Sequence, residues 1–273
     1  MQRTFSTPDA ISLFVAIGSG NVVLHAAAVD QTEVEITGDG ADDVTVEQRG
    51  DEVHITAPPR VGGLFSGRSG LDVHVSLPTG SRVVTKLGSA DLTATGELGT
   101  VSLKTGSGSV RLESVTGDAE VHTGSGDVTL ARVERDLRVT SGSGDLELGD
   151  LGGAASVTTG SGSIRLGAVA AEVLAKTGSG DLRVREASGD TALRTGSGGI
   201  VVERASRGQL VARTGSGDVR VGIPTGVPVW TDIQSGSGQV HNGLRGVGEP
   251  AEGQDYLELR AKTGSGSVYL EEV

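Results

Sequence analysis

Residues 176–200 are KTGSGDLRVREASGDTALRTGSGGI, and the tetrapeptide TGSG occurs twice in this stretch. The first Gly of the G-S-G triplet returns every eighteen residues from Gly106 to Gly196, and then at longer intervals. It stands at Gly106, Gly124, Gly142, Gly160, Gly178, Gly196, Gly215, Gly236 and Gly264. A degenerate copy, LGSAD at 87–91, stands one step upstream. A fixed period of this kind indicates a repeat architecture in which each repeat is one supersecondary unit.

Aliphatic and polar residues alternate between the triplets. After one triplet Val110 and Leu112 flank Arg111, and after another Leu182 and Val184 flank Arg183. Alternation with a period of two places the aliphatic side chains on one face of a strand. Each repeat holds two such strands, one after TGSG and one after a second turn such as SGD at 188–190, and these can close one flat coil. Coils stacked about 4.8 Å apart would pair each strand with its copies above and below.

The sequence therefore predicts an all-β fold, a single-domain parallel β-solenoid (β-helix) with 18-residue coils, right-handed as parallel crossovers usually are. We expect Gly at the corner of each coil because it tolerates a positive φ and because a Cβ would press on the neighbouring coils. The Ser column of the triplets and the Thr column beside it are expected to form hydrogen bonds along the stack.

Composition predicts a thin aliphatic core. Hydrophobic residues make up 36% of the 273 residues, which is too many for a disordered chain, but aromatic residues make up only 2%. With one Trp, two Tyr and three Phe, the interior must be narrow enough for Val, Leu, Ile and Ala to fill.

The formal net charge of −12 disfavours nucleic acid and anionic membrane as partners. The chain has no Cys, so thiol chemistry and disulfides are excluded. The apolar run at 10–17 follows an acidic residue rather than a basic segment, which favours a strand over a signal peptide. No segment is long enough to cross a bilayer, so no membrane insertion is expected and the default expectation is a cytoplasmic protein.

The repeat suggests one elongated domain over residues 1–273. Within it, 1–86 form irregular N-terminal coils with strands near 31–37, 51–56 and 71–77, residues 87–223 form the regular coils, and 224–273 form C-terminal coils with a loop insertion. The stretches at 58–70 and 247–255 are predicted to be loops, the first of them mobile. Strands at 256–262 and 267–270 are expected to close the stack.

Excess negative charge lies near both ends of the sequence. Residues 30–52 contain nine acidic residues and one basic residue, and residues 246–273 contain six and two. If these segments form the ends of the stack, their repulsion would oppose self-association through exposed strand edges.

The Asp that follows several triplets, as in Asp127, Asp145, Asp181 and Asp218, has two interpretations. A ladder of carboxylates could bind calcium, as glycine-rich nonapeptide repeats do. A short acceptor side chain could instead cap the turn. Since other coils have Ser, Gly or Gln there, the column is interrupted and capping is favoured.

No other pattern predicts chemistry. The histidines occur singly, which favours surface positions over metal ligation: His25, His54, His74, His122 and His241. No Ser is accompanied by His and Asp in a hydrolase pattern, and the Gly-rich triplets lack the Lys and helix of a phosphate loop. We therefore predict no catalytic, cofactor-binding or metal-binding residues, no cofactor and no enzyme activity.

The iterated T-G-S-G-[DS]-[VIL]-x-[VIL] motif, the LPTG and IPTG elements at 77–80 and 223–226, and AKTGSGSVYL at 261–270 resemble the bacterial putative-adhesin family of β-strand repeats, a domain of unknown function. The resemblance covers nearly the whole chain. It implies a β-solenoid and an association of some members with the cell interior or with envelope-stress systems, and it offers no catalytic residues.

These observations favour a non-catalytic β-solenoid scaffold or interaction module inside a bacterial cell, with an unknown protein partner or self-association through the solenoid ends. The alternative is an exported adhesin-like surface protein. If a partner binds the regular coils, the arginines expected on one strand face are the first candidates: Arg111, Arg165, Arg183 and Arg220.

Overall fold

In a computed structural model of the chain, residues 1–58, 70–246, 248 and 253–273 are described. The chain divides into two compact units, which we call the N-terminal unit (Met1–Arg135) and the C-terminal unit (Asp136–Val273). The described residues contain β-strands and one 3₁₀-helix at Ala41–Asp43, and no α-helix. The predicted all-β class is confirmed. Most of the two predicted loops, at 58–70 and 247–255, lies outside the described residues.

The N-terminal unit contains thirteen strands. They are β1 (Gln2–Ser6), β2 (Ser12–Ile17), β3 (Gly20–Ala27), β4 (Gln31–Gly38), β5 (Thr45–Arg49), β6 (Glu52–Thr56), β7 (Leu71–Pro78), β8 (Arg82–Leu87), β9 (Asp91–Leu98), β10 (Val101–Thr105), β11 (Val110–Val115), β12 (Ala119–Thr123) and β13 (Val128–Val133). Their order is β1-β4-β7-β3-β9-β11-β13 in a first sheet and β5-β6-β2-β8-β10-β12 in a second sheet.

This unit departs from regular parallel stacking in its first strands. Strand β4 is antiparallel to β1 and β7, and β5 is antiparallel to β6. The coil of β2 and β3 lies between the coil of β6 and β7 and the coil of β8 and β9, so chain order and spatial order differ. From β8 onward the strands pair in parallel with the predicted offset, as Val110 with Val128 shows.

The C-terminal unit contains fourteen strands. They are β14 (Leu137–Ser143), β15 (Leu146–Leu151), β16 (Ala155–Ser161), β17 (Ile164–Val169), β18 (Val173–Ser179), β19 (Leu182–Ala187), β20 (Thr191–Ser197), β21 (Ile200–Ala205), β22 (Gly208–Ser216), β23 (Val219–Ile223), β24 (Val229–Ser237), β25 (Val240–Asn242), β26 (Leu257–Ser265) and β27 (Val268–Glu272). All of their described pairings within the unit are parallel.

The C-terminal unit does not end on the last strands of the chain. Its first sheet has the order β15-β17-β19-β21-β23-β27-β25, and its second sheet has the order β14-β16-β18-β20-β22-β26-β24. The coil of β26 and β27 is therefore inserted between the coil of β22 and β23 and the coil of β24 and β25. The expectation that the last strands close the stack was wrong, because β24 and β25 are the edge strands.

The core is aliphatic, as the composition predicted. Side chains such as Leu130, Leu148 and Val184 are at most 1% exposed, and they come from the inward-facing positions of the alternating pattern. No aromatic residue among the described ranges belongs to the buried hydrophobic set. The sole Trp and Tyr256 instead face solvent, with 52% and 51% of their surfaces exposed.

The glycines of one triplet have different roles. A Cβ on the first, Gly160, would lie 2.6 Å from the carbonyl oxygen of Gly142 in the preceding coil, so this position requires glycine for space. The last glycine, Gly162, has a φ of +129° and is crowded as well. The expected positive φ thus occurs in the C-terminal unit at the last glycine of the triplet, not at the first. In the N-terminal unit, Gly108 and Gly126 have no positive φ.

Candidate interaction surfaces

The Asp column caps turns. One carboxylate oxygen of Asp181 accepts a hydrogen bond from the backbone N–H of Gly199 in the next coil, at 2.7 Å. Asp145 and Asp218 do the same for Ser163 and Ser267, each at 2.9 Å. Each carboxylate therefore satisfies a backbone donor that the turn leaves free. The capping interpretation of these three residues is confirmed.

The Thr column joins successive coils, as predicted. The Thr177 hydroxyl donates to the carbonyl oxygen of Gly162 at 3.0 Å, and the same bond recurs in the coils of Thr195, Thr214 and Thr263. The Ser column behaves differently, since its side chains are exposed. Among the described serines of the C-terminal unit's triplets, only Ser237 and Ser265 join hydroxyls, at 3.5 Å.

The histidines lie at separate surface positions. The His54 and His122 rings lie 3.1 and 3.0 Å from the carboxylates of Glu52 and Glu120, and His25 contacts a threonine hydroxyl. His241 stacks on a tyrosine ring, and His74 is exposed. No group of three His, Asp or Glu side chains in the described ranges is placed to share a metal ion.

Three of the four predicted arginines form one row on the outer face of the first sheet of the C-terminal unit. Arg165 lies opposite Arg183, and Val201 separates Arg183 from Arg220. Arg111 lies in the N-terminal unit, on β11, next to Thr129 of β13. The structure therefore brings together only the last three arginines.

Each arginine of this row has an acidic partner. Arg165 is 3.6 Å from Asp145, and Arg220 is 2.9 Å from Asp218. Arg183 is 3.0 Å from Glu203. All six side chains are between 35% and 59% exposed, so these pairs add little to stability.

A groove interrupts the row in one coil, where a glycine and a valine occupy the positions that hold Asp and Arg in the neighbouring coil. Its floor includes Gly199, which stands in the Asp column, and Val201, which stands in the Arg column. A Cβ on Gly199 would meet no atom closer than 3.5 Å, so stacking does not require glycine there. The groove is thus open between Arg183 and Arg220 and could admit a side chain of a partner.

Aromatic residues extend the row to the edge of the unit. Tyr269 lies opposite Arg220, whose guanidinium carbon is 4.8 Å from the centre of the tyrosine ring. His241 lies opposite Tyr269 on the next strand, and its ring stacks on the tyrosine ring, with ring centres 4.8 Å apart and planes 5° from parallel. We call Arg165, Arg183, Arg220, Tyr269 and His241 the arginine–tyrosine row.

A second aromatic pair lies beside the edge of the second sheet. Trp230 and Tyr256 line one open pocket together with Glu258 and Arg260. The Arg260 guanidinium carbon is 5.8 Å from the centre of the Trp230 ring, and Arg260 also pairs with Glu258 at 2.6 Å. The sequence reasoning missed these residues, although the confinement of all Trp and Tyr to residues 230–269 was a visible signal.

A row of four basic residues on the second sheet was also missed. It consists of Lys176, Arg194, Arg213 and Lys262, which lie opposite one another on β18, β20, β22 and β26. The signal was in the motif itself, because each is the residue immediately before TGSG. We call these four residues the basic ladder.

No helix among the described residues is long and apolar enough to cross a membrane.

A family model described as Toastrack DUF4097 matches residues 10–271. No curated protein matches the chain. Similar solved structures include a putative lipid binding protein from Parabacteroides distasonis ATCC 8503, with a TM-score of 0.49 and 17% identity over 100% of this chain and 96% of that chain. A putative adhesin from Bacteroides fragilis NCTC 9343 has a TM-score of 0.43 and 13% identity over 99% and 96% of the two chains. At these scores neither similarity supports a conclusion about function.

Proposed function

Since this chain belongs to the Toastrack DUF4097 family, we propose that it is a non-catalytic β-solenoid scaffold that binds a protein partner inside a bacterial cell. The arginine–tyrosine row supports this proposal. Arginine and tyrosine are enriched at protein interfaces, where they supply large contact areas and directed hydrogen bonds. Here Arg183 and Arg220 are exposed and Tyr269 is half-buried on a parallel sheet, and an open groove lies between the two arginines.

The test is a crosslinking pull-down from the native host with three forms of the full chain. We expect the triple variant R165Q/R183Q/R220Q to lose a partner that the parent captures. The matched variant R194Q/R213Q/K262Q removes the same number of positive charges from the other sheet and should keep that partner. Equal capture by all three forms would contradict a role for the row.

The absence of catalysis is part of the proposal. Asp145, Asp181 and Asp218 use a carboxylate oxygen for backbone capping, and the imidazoles of His25, His54 and His122 each face a single neighbouring polar group. General acid–base catalysis needs such groups to converge on a reacting atom. An unbiased hydrolase screen of the purified chain tests this, and turnover abolished by one substitution would contradict it.

The alternative is an exported adhesin-like surface protein, and the exposed Trp230 and Tyr256 favour it. Aromatic side chains that are half exposed in a protein with an aliphatic core are available for binding from solvent. Fractionation of native cells with an antibody to the chain separates the two proposals. Recovery in the cytoplasmic fraction supports the scaffold, and recovery at the cell surface supports the adhesin.

A further inference from the structure

The basic ladder places like charges directly opposite one another. Lys176 lies opposite Arg194, and Arg213 lies between Arg194 and Lys262. Adjacent strands are about 4.8 Å apart, so the four cations follow one another at that interval along the sheet. Like charges at directly opposite positions destabilise a sheet.

The described residues provide no counter-charge for this ladder. None of its four side chains forms an ion pair or a hydrogen bond with a described residue, although the chain has 35 acidic residues. On the first sheet of the same unit, by contrast, Arg165, Arg183 and Arg220 each have a carboxylate partner. The unit has therefore neutralised one face and left the other positive, within a protein of net charge −12.

The residues on either side of the ladder are not acidic either. Along each strand, the outward-facing neighbours on one side are Leu174, Ala192, Val211 and Arg260. On the other side they are glycines of the triplets: Gly178, Gly196, Gly215 and Gly264. These glycines are fixed by stacking, since a Cβ on Gly196 would lie 2.6 Å from the carbonyl oxygen of Gly178.

A row of hydroxyl groups follows the glycines. It consists of the exposed serines Ser179, Ser197, Ser216 and Ser265. The outer surface of the second sheet thus presents a line of cations and a flat strip without side chains, and a line of exposed hydroxyls follows where the strands end. All three lines repeat with the strand spacing.

We propose that this surface binds a linear acidic polysaccharide. Carboxylates repeated along the polymer would pair with Lys176, Arg194, Arg213 and Lys262, because hydrogen bonds between charged groups are about twice as strong as those between neutral groups. The glycine strip lets a sugar ring approach the backbone closely, and the serines can exchange hydrogen bonds with sugar hydroxyls.

Each part of the surface argues for this occupant. The regular repetition of the cations favours a polymer with regularly repeated charges over a folded acidic protein. The serine row favours a polymer that has hydroxyl groups over polyphosphate, which has none along its chain. Since acidic polysaccharides are polymers of the cell surface, the inference agrees with the exported alternative, and it does not depend on a partner of the arginine–tyrosine row.

The test is equilibrium binding of the purified full chain to polygalacturonate, with dextran as the neutral polymer and polyphosphate as the anion without hydroxyls. We expect binding to polygalacturonate that weakens with added salt, and no binding to dextran. Monomeric galacturonate should bind at least about tenfold more weakly than the polymer, because several contacts act together only in a polymer.

Two variants with equal charge change make the test specific. In the first, K176Q/R194Q/R213Q/K262Q, we expect affinity for polygalacturonate to fall at least about tenfold, the loss typical of a binding energy that depends on several ion pairs. In the second, R165Q/R183Q/R204Q/R220Q on the first sheet, affinity should stay within about twofold of the parent, and thermal melting verifies that both variants are folded.

Three results would overturn the proposal. They are no binding of polygalacturonate by the parent, equal loss in the two variants, and tighter binding of polyphosphate than of polygalacturonate. The first leaves the scaffold proposal standing, since that proposal depends on a partner captured through the other sheet. Conversely, a pull-down that captures no protein partner, or captures it equally with all three forms, would contradict the scaffold proposal and leave the polysaccharide result unaffected.

Discussion

Gly180 lies at a position with two requirements that only glycine, of all residue types, can meet. Its φ is +145°, and a Cβ there would lie 2.2 Å from the carbonyl oxygen of Gly162 in the preceding coil. The same pair of constraints recurs at Gly198, Gly217 and Gly266. A side chain at any of these positions must therefore both strain the backbone and separate two coils.

Gly180→Ala should lower the free energy of unfolding by about 3 kcal/mol or more, because strain and crowding act together. The matched control is Gly226→Ala. Gly226 has a φ of +86° with no atom within 4 Å of a Cβ, so it reports backbone strain alone. We expect a loss of about 1 kcal/mol there. Denaturant unfolding of both variants measures the difference, and equal losses would contradict the role of crowding.

Asp181→Ala should cost about 1 kcal/mol, the usual contribution of one hydrogen bond, because the N–H of Gly199 loses its acceptor. Asp181→Asn keeps an acceptor oxygen and should retain most of the stability. Asp232→Ala, at an exposed position without a described hydrogen bond, is the control. Melting curves of the three variants decide this. If Asn were as harmful as Ala, charge rather than hydrogen bonding would be the cause.

Folding should not require calcium, since Asp145, Asp181 and Asp218 each have a carboxylate oxygen bonded to a backbone N–H. Circular dichroism and thermal melting in excess chelator are expected to match those in calcium. Loss of the β-sheet signal on chelation would instead support a calcium-binding column.

At the scale of one strand, the two sheets of the C-terminal unit differ in whether an exposed arginine has an acidic partner. Arg183 on β19 is paired with Glu203 at 3.0 Å, whereas Arg194 on β20 lies between Lys176 and Arg213 with no described ion pair. Both side chains are exposed arginines in central strands. They can therefore be compared as two exposed arginines with different surrounding charges.

Arg194→Gln should stabilise the chain by about 0.5 kcal/mol at low salt, because it removes two like-charge contacts in the ladder. Arg183→Gln should be neutral or slightly destabilising, because it removes a surface ion pair. The gain for the Arg194 variant should shrink as salt screens the ladder. Melting temperatures over a salt series measure both effects, and a destabilised Arg194 variant would show that the ladder is neutralised in the free protein.

For the molecule as a whole, the acidic C-terminal segment does not form the end of the stack, where the sequence suggested it would lie. The strand with Glu271 and Glu272 is interior to its sheet, between β23 and β25. The edge strands β24 and β25 include only one carboxylate, Asp232, and no Lys or Arg. Their inward positions are incompletely covered, since Thr231 is exposed and Ile233 half-buried. The described edge strands themselves therefore carry too little charge to repel a second copy.

We expect concentration-dependent association through the β24 and β25 edge, since an unpaired parallel strand is a template for another strand. Ile233→Lys places a charge on the inward face of the edge and should keep the chain monomeric. The double variant E271Q/E272Q should associate like the parent, because both residues belong to an interior strand. Light scattering over a concentration series tests this, and a strictly monomeric parent would contradict it.

The repeat made most of the fold predictable. The aliphatic columns follow from alternation with period two, and the coil length follows from the spacing of the triplets. The capping role of Asp181 was predictable because short acceptors recur at turns. The basic ladder was not predicted, because the repeat pattern starts at the Thr of TGSG and leaves out the preceding residue, which is Lys176 in one coil and Arg194 in the next.

The order of the last two coils was a harder problem. Both contain a G-S-G triplet, so the repeat alone gives no reason for chain order and spatial order to differ. The difference follows from burial. Strand β26 presents Leu257, Leu259 and Ala261 to the core, whereas the matching positions of β24 include Thr231. The more apolar coil takes the interior place because it loses more by exposure to water.

This inserted coil sets the order in which the molecule can be completed. Strands β24 and β25 leave the ribosome before β26 and β27, but among the described strands they pair with β26 and β27 alone. During synthesis the finished coils can stack only as far as β23, and residues 229–242 must wait for the C-terminus. A nonsense mutation just before residue 257 would therefore deprive the protein of two coils, although it deletes the sequence of only one.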